Sequence, residues 1–239
     1  MICFLTSRTD LPGHEELNPA NRFIDELRRV IPNPCHALNI CSDPSAWEKT
    51  DFYASLTRLY FENAGFCFDS FRVLDGRSAT QAKELVRESN LVILGGGHVP
   101  TQNRFFHKIG LRELMKDYDG IVVGISAGSM NSADLVYAQP EEEGEALDPS
   151  YRRFLTGLDL TKTMLLPHYH EVKDDVLDGM RLFADIACPD SMGKCFYAIP
   201  NGTYLFIENG REELRGEAYQ IRDGMISKIS AEGDVVLLN

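Results

Sequence analysis

The chain has 239 residues, 44% apolar and 25% charged, which suits one large α/β domain and leaves too little for two. Its 36 acidic against 24 basic side chains give a formal charge of −12, which argues against nucleic acid and anionic membrane surfaces as partners. No apolar run approaches the roughly 18 residues that span a bilayer, and Met1 to Thr6 lacks the basic start and the length of a signal peptide. The six cysteines form no C-x-x-C pair. With Cys3, Cys67 and Cys195 in or beside apolar strand-like runs, they read as reduced, buried thiols of a cytoplasmic protein.

Ile2 to Leu5 reads as a first strand, followed by a polar loop to Asn18. Pro19 fits the first turn of a helix reaching about Val30, with Phe23, Ile24 and Leu27 on one face. Cys35 to Cys41 is a second strand. Asp43 or Ser45 is then expected to cap a long helix through Trp47, Phe52, Leu56 and Tyr60 that Gly65 ends. Phe66 to Leu74 follows as a third strand, Thr80 to Arg87 as a short helix, and Leu91 to Leu94 as a fourth strand running into Gly95-Gly96-Gly97-His98. A helix from about Thr101 to Tyr118 precedes the apolar strand Ile121 to Ile125, and a helix can continue from Ser129 to Tyr137.

Beyond Tyr137 the rhythm breaks. Gln139 to Ser150, with Glu141-Glu142-Glu143, reads as an exposed, solvated loop. Met164 to Leu166 is a strand ending at Pro167-His168-Tyr169-His170, and a helix is expected from about Lys173 to Ala187. The remainder is strand-rich: Phe196 to Ile199, Tyr204 to Ile207, Ala218 to Ile221, Met225 to Ile229 and Val235 to Leu238. Asp223-Gly224 and Glu232-Gly233 look like hairpin turns. Strands alternating with helices imply a doubly wound, mainly parallel sheet with helices on both faces, in one domain over residues 1–239. Ligands of such sheets gather at the carboxyl ends of the strands, where both glycine stretches fall.

Gly124-Ile125-Ser126-Ala127-Gly128 has the form G-x-S-x-G, a nucleophile elbow. A serine on a tight strand-to-helix turn needs small neighbours, because the flanking backbones approach closely. The turn also puts the Ala127 N–H at a helix N-terminus, where it can meet an oxyanion. Gly95-Gly96-Gly97 lacks the second half of G-x-G-x-x-G and a following G-K-[ST], so it suits an oxyanion hole better than a phosphate loop. A serine nucleophile needs a base. Among the six histidines, His168 and His170 follow a strand end and are the candidates, whereas His14, His36 and His107 fall on early loops, a strand or a helix. The H-x-H pair has no companion cysteine or H-E-x-x-H pattern, so neither metal nor cofactor is expected.

Gly124 to Gly128, Leu94-Gly-Gly-Gly97, Pro167-His-Tyr169 and Ile199-Pro-Asn-Gly202 resemble, in order and spacing, the peptidase E family of serine peptidases. That family includes aspartyl dipeptidases and cyanophycinases, on a fold similar to class I glutamine amidotransferases. The resemblance runs over essentially the whole chain, including the Leu-Pro-Gly of the first loop. It implies Ser126 as nucleophile, His168 as general base, and Gly97 and Ala127 N–H groups as oxyanion donors, with His98 next to them. It further implies that Asn201 stands where the family commonly carries glutamate, and that His98 stands where it commonly carries asparagine. Asn201 can orient an imidazole but brings no charge, and the resemblance offers Asp148, near an aspartate position sometimes assigned to the relay in that family, as the acidic fallback.

The expected activity is hydrolysis of small peptides. A catalytically weak relative that binds a small acidic or amide ligand in the same cleft is the alternative, and an amidotransferase is disfavoured by serine at the elbow. The family's helix after Pro-His usually begins with an arginine-bearing segment, whereas here the region reads His170-Glu-Val-Lys-Asp-Asp175. Arg104, Arg152, Arg153 and Arg181 are the remaining basic candidates, so strict preference for N-terminal aspartate is expected to be lost or rebuilt. Oligomeric state is left open.

Overall fold

The computed structural model describes residues 1–238. In chain order the first half runs β1 (Ile2–Thr6), α1 (Phe23–Val30), β2 (Cys35–Ile40), α2 (Trp47–Asn63), β3 (Phe68–Leu74), α3 (Ala82–Arg87), β4 (Leu91–Leu94), α4 (Val99–Lys108), α5 (Leu111–Lys116), β5 (Ile121–Ile125) and α6 (Ala127–Asn131). The second half carries β6 (Leu135–Tyr137), β7 (Phe154–Thr156), β8 (Met164–Leu166), α7 (Tyr169–Val172), β9 (Val176–Leu177), β10 (Met180–Arg181) and β11 (Cys195–Ala198). The last five strands are β12 (Tyr204–Glu208), β13 (Arg211–Arg215), β14 (Ala218–Arg222), β15 (Met225–Ser230) and β16 (Val235–Leu238).

The central sheet has eight strands in the order β16-β13-β12-β1-β5-β4-β2-β3. The five from β1 to β3 are parallel, and β12, β13 and β16 extend the sheet antiparallel. Side chains alternate across a strand, so a strand covered on both faces must be apolar throughout. In β1, Cys3 and Leu5 pack with Phe105, Phe106 and Leu111 of α4 and α5, while Phe4 packs with Phe23, Leu27 and Phe61 of α1 and α2. Strands β4 and β5 divide the same way, Val92, Leu94 and Val122 to one face, Leu91, Ile93 and Val123 to the other.

A second sheet, β15-β14-β11-β8, closes over its own core with Met130, Val136, Tyr137, Phe183 and Ile186. Its β8 and β11 are parallel, with Leu166 opposite Ala198. The mixed α/β architecture with a mainly parallel central sheet agrees with the sequence reading. The split into two sheets does not follow from it.

Several elements differ from expectation. Gly110, at φ +66°, ends α4 and starts α5 where one continuous helix was expected. The helix expected from Ser129 to Tyr137 stops at Asn131, and Leu135–Tyr137 is a strand paired with β7. The helix expected from Lys173 begins only at Leu182, because Asp178 and Gly179 take positive φ and turn β9 into β10 as a small hairpin. Strand β13 was missed, since Arg-Glu-Glu-Leu-Arg offers one apolar residue; it returns from β12 through Asn209-Gly210. Asp223-Gly224 does join β14 to β15, but Glu232-Gly233 leads from one sheet to the other and makes no hairpin. Neither Asp43 nor Ser45 caps α2; the Asp43 carboxylate accepts the Ser45 N–H instead. All six cysteines are free, yet Cys67 is exposed and Cys195 half-buried, contrary to the expectation of buried thiols.

Candidate active site

Strands β1, β5 and β4 lie side by side and parallel, so Ser7, Ser126 and Gly95–Gly97 leave the sheet at one rim. At that rim Ser126 adopts φ 50° and ψ −112°, a conformation rarely open to a residue with a side chain. The neighbouring backbones hold it there. Its N–H donates to Thr6 O at 3.0 Å, and its carbonyl accepts the Met130 N–H at 3.1 Å. Both glycines of the motif are required by close approach. A Cβ on Gly128 would lie 2.2 Å from Leu94 O, and one on Gly124 would lie 3.0 Å from Ser129 N and Cα. Small residues here let α6 dock onto the ends of β4 and β5, which is what turns Ser126 outward.

The histidine arrives from the other sheet. Pro167 ends β8, and His168, in the left-handed region at φ 60°, starts α7. Its backbone N–H donates to Ser7 Oγ at 2.8 Å, and its Nε2 lies 2.9 Å from Ser126 Oγ. On the far side of the ring, Nδ1 faces Asn201 Oδ1 at 3.2 Å, a Glu171 carboxylate oxygen at 3.1 Å and Ser7 Oγ at 3.3 Å. Asn201 follows β11, the parallel neighbour of β8, so adjacent strand ends bring the two residues together. The Ser7 hydroxyl donates to Asn201 Oδ1 at 2.9 Å, and Asn201 Nδ2 donates to Glu171 Oε1 at 2.9 Å.

The structure thus brings Ser126, His168 and Asn201 together and leaves other candidates outside. His170 faces Glu217 at 3.3 Å. Asp148 is exposed on its loop and accepts the Ser150 N–H and hydroxyl, so the acid beside the histidine is Glu171 and not Asp148. Ser7 and Glu171 were not found by sequence reasoning. Glu171 had a signal: it stands three residues after His168, a spacing that one helical turn places side by side. Expecting the helix to begin only at Lys173 concealed it.

Gly97, at φ +147°, packs so closely on Ser42 that a Cβ would lie 2.2 Å from its Oγ. His98 turns from the serine toward Glu145, with Nε2 2.8 Å from Oε1, and its Nδ1 meets Thr101 Oγ1 at 2.8 Å. The other Glu145 oxygen accepts the N–H groups of Glu141 and Glu142, and Asp178 accepts those of Gly144 and Ala146. The acidic loop is therefore tethered at the mouth of the site, and is not the wholly solvated segment that was expected. Among the described residues, His98, Glu142 and Glu145 form the one group with three ligand atoms mutually within 4.8 Å. The Glu145 oxygens already serve as the staple just described.

Ser126 and His168 border a cleft of about 560 Å³ that also takes in Arg8, Asp10, Lys49, Tyr53, Tyr60 and Glu142. Arg8 is bound by Asp10, whose hydrogen bonds raise the guanidinium pKa further. Lys49 is the other basic side chain of the lining. None of Arg104, Arg152, Arg153 and Arg181 lines it; Arg153 pairs with Asp190 and Arg181 with Asp185. Cys41 also borders the cleft, and burial pushes its thiol up to about 12.

A serine on a strand-to-helix turn is thus met by a histidine at the end of another strand on an α/β scaffold. The chain belongs to Peptidase family S51, whose family model matches residues 3–215. Its fold is similar to that of a peptidase from an acI-B1 Actinobacterium, with a TM-score of 0.65 and 16% identity over 99% of this chain and 96% of that one. It is also similar to a protein from Listeria monocytogenes EGD-e described as a peptidase E, with a TM-score of 0.55 and 16% identity over 96% of this chain and 98% of that one. A search of curated proteins found no match. Among the described residues no helix is long and apolar enough to cross a membrane.

Proposed function

We propose that this peptidase is of the serine type and hydrolyses short peptides through Ser126 and His168. The observation that carries the reading is the 2.9 Å approach of His168 Nε2 to Ser126 Oγ at the rim of the cleft. His168 takes the hydroxyl proton as Ser126 attacks the scissile carbonyl, and returns it to the leaving amine as the C–N bond breaks. Water then repeats the exchange on the acyl-enzyme, releasing the acid and restoring the serine. Asn201 Oδ1 accepts a hydrogen bond from the Nδ1–H, which holds the proton there and keeps Nε2 free to act as base.

The N–H groups of Gly97 and Ala127, with His98 next in line, are the oxyanion donors in this reading. In support, those of Gly97 and Ala127 make no hydrogen bond to the described residues. The likeness to class I glutamine amidotransferases belongs to the same proposal, as does a single domain acting without metal or cofactor in a cytoplasm. Serine at the elbow favours peptide over glutamine amide chemistry. The cleft's cations, Arg8 held by Asp10 and a single lysine, favour substrates other than N-terminal aspartyl peptides.

The test is labelling with a fluorophosphonate. The wild-type chain should be modified on Ser126 and Ser126→Ala should not react, with the same pair separated by hydrolysis of a dipeptide amide panel. Absence of labelling in the wild type would leave only the alternative, a binding cleft without an activated serine.

A further inference from the structure

We propose that Glu171 supplies the negative charge that holds His168 ready as a base, in the role that Asn201 leaves neutral; this rests on the reading of Ser126 and His168 given above. A triad needs an anion behind its histidine because the imidazole becomes a cation as the nucleophile loses its proton. Asn201 accepts from Nδ1 yet is uncharged, so the cation would form against a dipole alone. Glu171 reaches the same nitrogen from α7, at 3.1 Å.

Both carboxylate oxygens of Glu171 are committed inward, although its side chain is 51% exposed. One meets Nδ1, and the other accepts from Asn201 Nδ2 at 2.9 Å. The second bond has its own effect. An amide can sit either way round, and a carboxylate on one side forces its NH2 there, which turns Oδ1 onto the imidazole. The Ser7 hydroxyl, donating to the same Oδ1, agrees with that orientation. Glu171 thus provides the charge directly and the tautomer through Asn201.

Other charges around the ring do not substitute for it. Arg8, from the loop after β1, senses Glu171 but is bound by Asp10. Asp10, Asp43, Lys49, His98 and Glu142 line the cleft that the ring borders, and Ser7 and Asn201 are neutral. Among the described residues, Glu171 is the carboxylate paired with His168. Half-exposed, it is screened by water, so its effect falls well below the roughly 10⁴-fold cost of neutralising a buried triad acid.

The experiment uses four proteins: wild type, Glu171→Gln, Asn201→Asp and the double variant. Two readouts run in parallel, the fluorophosphonate labelling rate of Ser126 against pH and an NMR titration of the His168 imidazole without any ligand. Glu171→Gln can keep the oxygen that accepts from Asn201, and then sets its NH2 where the other oxygen met Nδ1, so the charge and the acceptor at the ring are lost together. It should slow labelling at neutral pH about 10- to 50-fold, and an imidazolium without its anion loses its proton more readily, so both profiles should move to lower pH. The double variant returns a carboxylate to Nδ1 from the other side and should recover to within about threefold of wild type. Asn201→Asp alone places two carboxylates together and should gain nothing. If Glu171→Gln moves neither profile, or if the double variant is no better than Glu171→Gln, the proposal is overturned. Imidazole titrations that shift and are rescued while Ser126 never labels would support the charge pairing and refute the peptidase reading instead.

Discussion

Replacing Gly128 by alanine should cost both stability and labelling, and the size follows from one distance. The added methyl would lie 2.2 Å from Leu94 O, 2.7 Å from Leu94 C and 2.7 Å from Leu94 Cβ, where about 3.5 Å is comfortable. Two of these atoms are backbone in the centre of a sheet, so relief must come from α6 moving by roughly 1 Å. Overpacking of this kind costs about 1–3 kcal/mol, and a rigid opponent puts it near the upper end. At about 2–4 °C per kcal/mol for a chain of this size, the melting temperature should drop by about 6–12 °C. Because α6 carries the turn that aims Ser126, the same shift should slow fluorophosphonate labelling about 100-fold. Scanning fluorimetry and labelling kinetics on the purified variant measure both. A melting temperature within 2 °C of wild type and unchanged labelling would show that the elbow is not clamped by this contact. Gly193→Asn is the control, since nothing lies within 4 Å of a Cβ there and asparagine is the side chain that best tolerates its φ of +69°.

Ser129 donates to Thr6 O at 2.7 Å, but that oxygen also accepts the Ser126 N–H, so Ser129→Ala should lose only about 1 kcal/mol in a denaturation curve and keep most labelling. Equal loss from Ser126→Ala and Ser129→Ala would contradict the assignment of the nucleophile. Under native conditions a thiol reagent should modify exposed Cys67 first and Cys195 more slowly, while Cys3 and Cys35, which burial pushes up to about 12, stay silent until unfolding; early reaction of Cys3 would refute the packing of β1. Asp185 is held down to about 2 by its hydrogen bonds from Arg181, and Lys162 with Arg112 lowers Asp134. Carboxylates depressed in the fold stabilise it above their unfolded values near about pH 4 and lose that contribution as pH falls through the folded values. The melting temperature should therefore decline mainly between about pH 4 and 2, and a decline centred between pH 7 and 5 would point to histidines instead. On dipeptide amides differing only in the first residue, aspartate should be preferred over asparagine by less than about a hundredfold in kcat/KM.

The elements legible in the sequence were those whose local chemistry decides their structure. Strands β1, β4 and β5 are buried on both faces and so are apolar without alternation, and the two glycine stretches mark where they end. Pro167 before His168 marks the end of β8 in the same way. What escaped was set by contacts distant in sequence. Leu135–Tyr137 carries a pattern open to helix or strand, and only pairing with Phe154–Thr156 decides it. Strand β13 is polar because it lies toward the sheet edge, with Leu214 alone fully buried. Asp178-Gly179 was a readable turn signal that the expected helix from Lys173 overrode. At the site, Ser126, His168 and Asn201 were named from motif and resemblance, whereas Ser7 carries no motif and depends on β1 lying beside β5.

The histidine is tied to its partners by contacts of very different reach. His168 and Glu171 belong to one helical turn, three residues apart, whereas Ser126 is 42 residues away on the rim of the other sheet. Small motions within α7 cannot easily part the first pair, but any sliding of one sheet against the other lengthens the second. Opening of the cleft would then uncouple the hydroxyl from the ring while carrying the carboxylate along with it. In such a fluctuation the ring keeps the Glu171 charge and loses Ser126 together with the Ser7 hydroxyl, which leaves with the same sheet, so closure re-engages both serines at once.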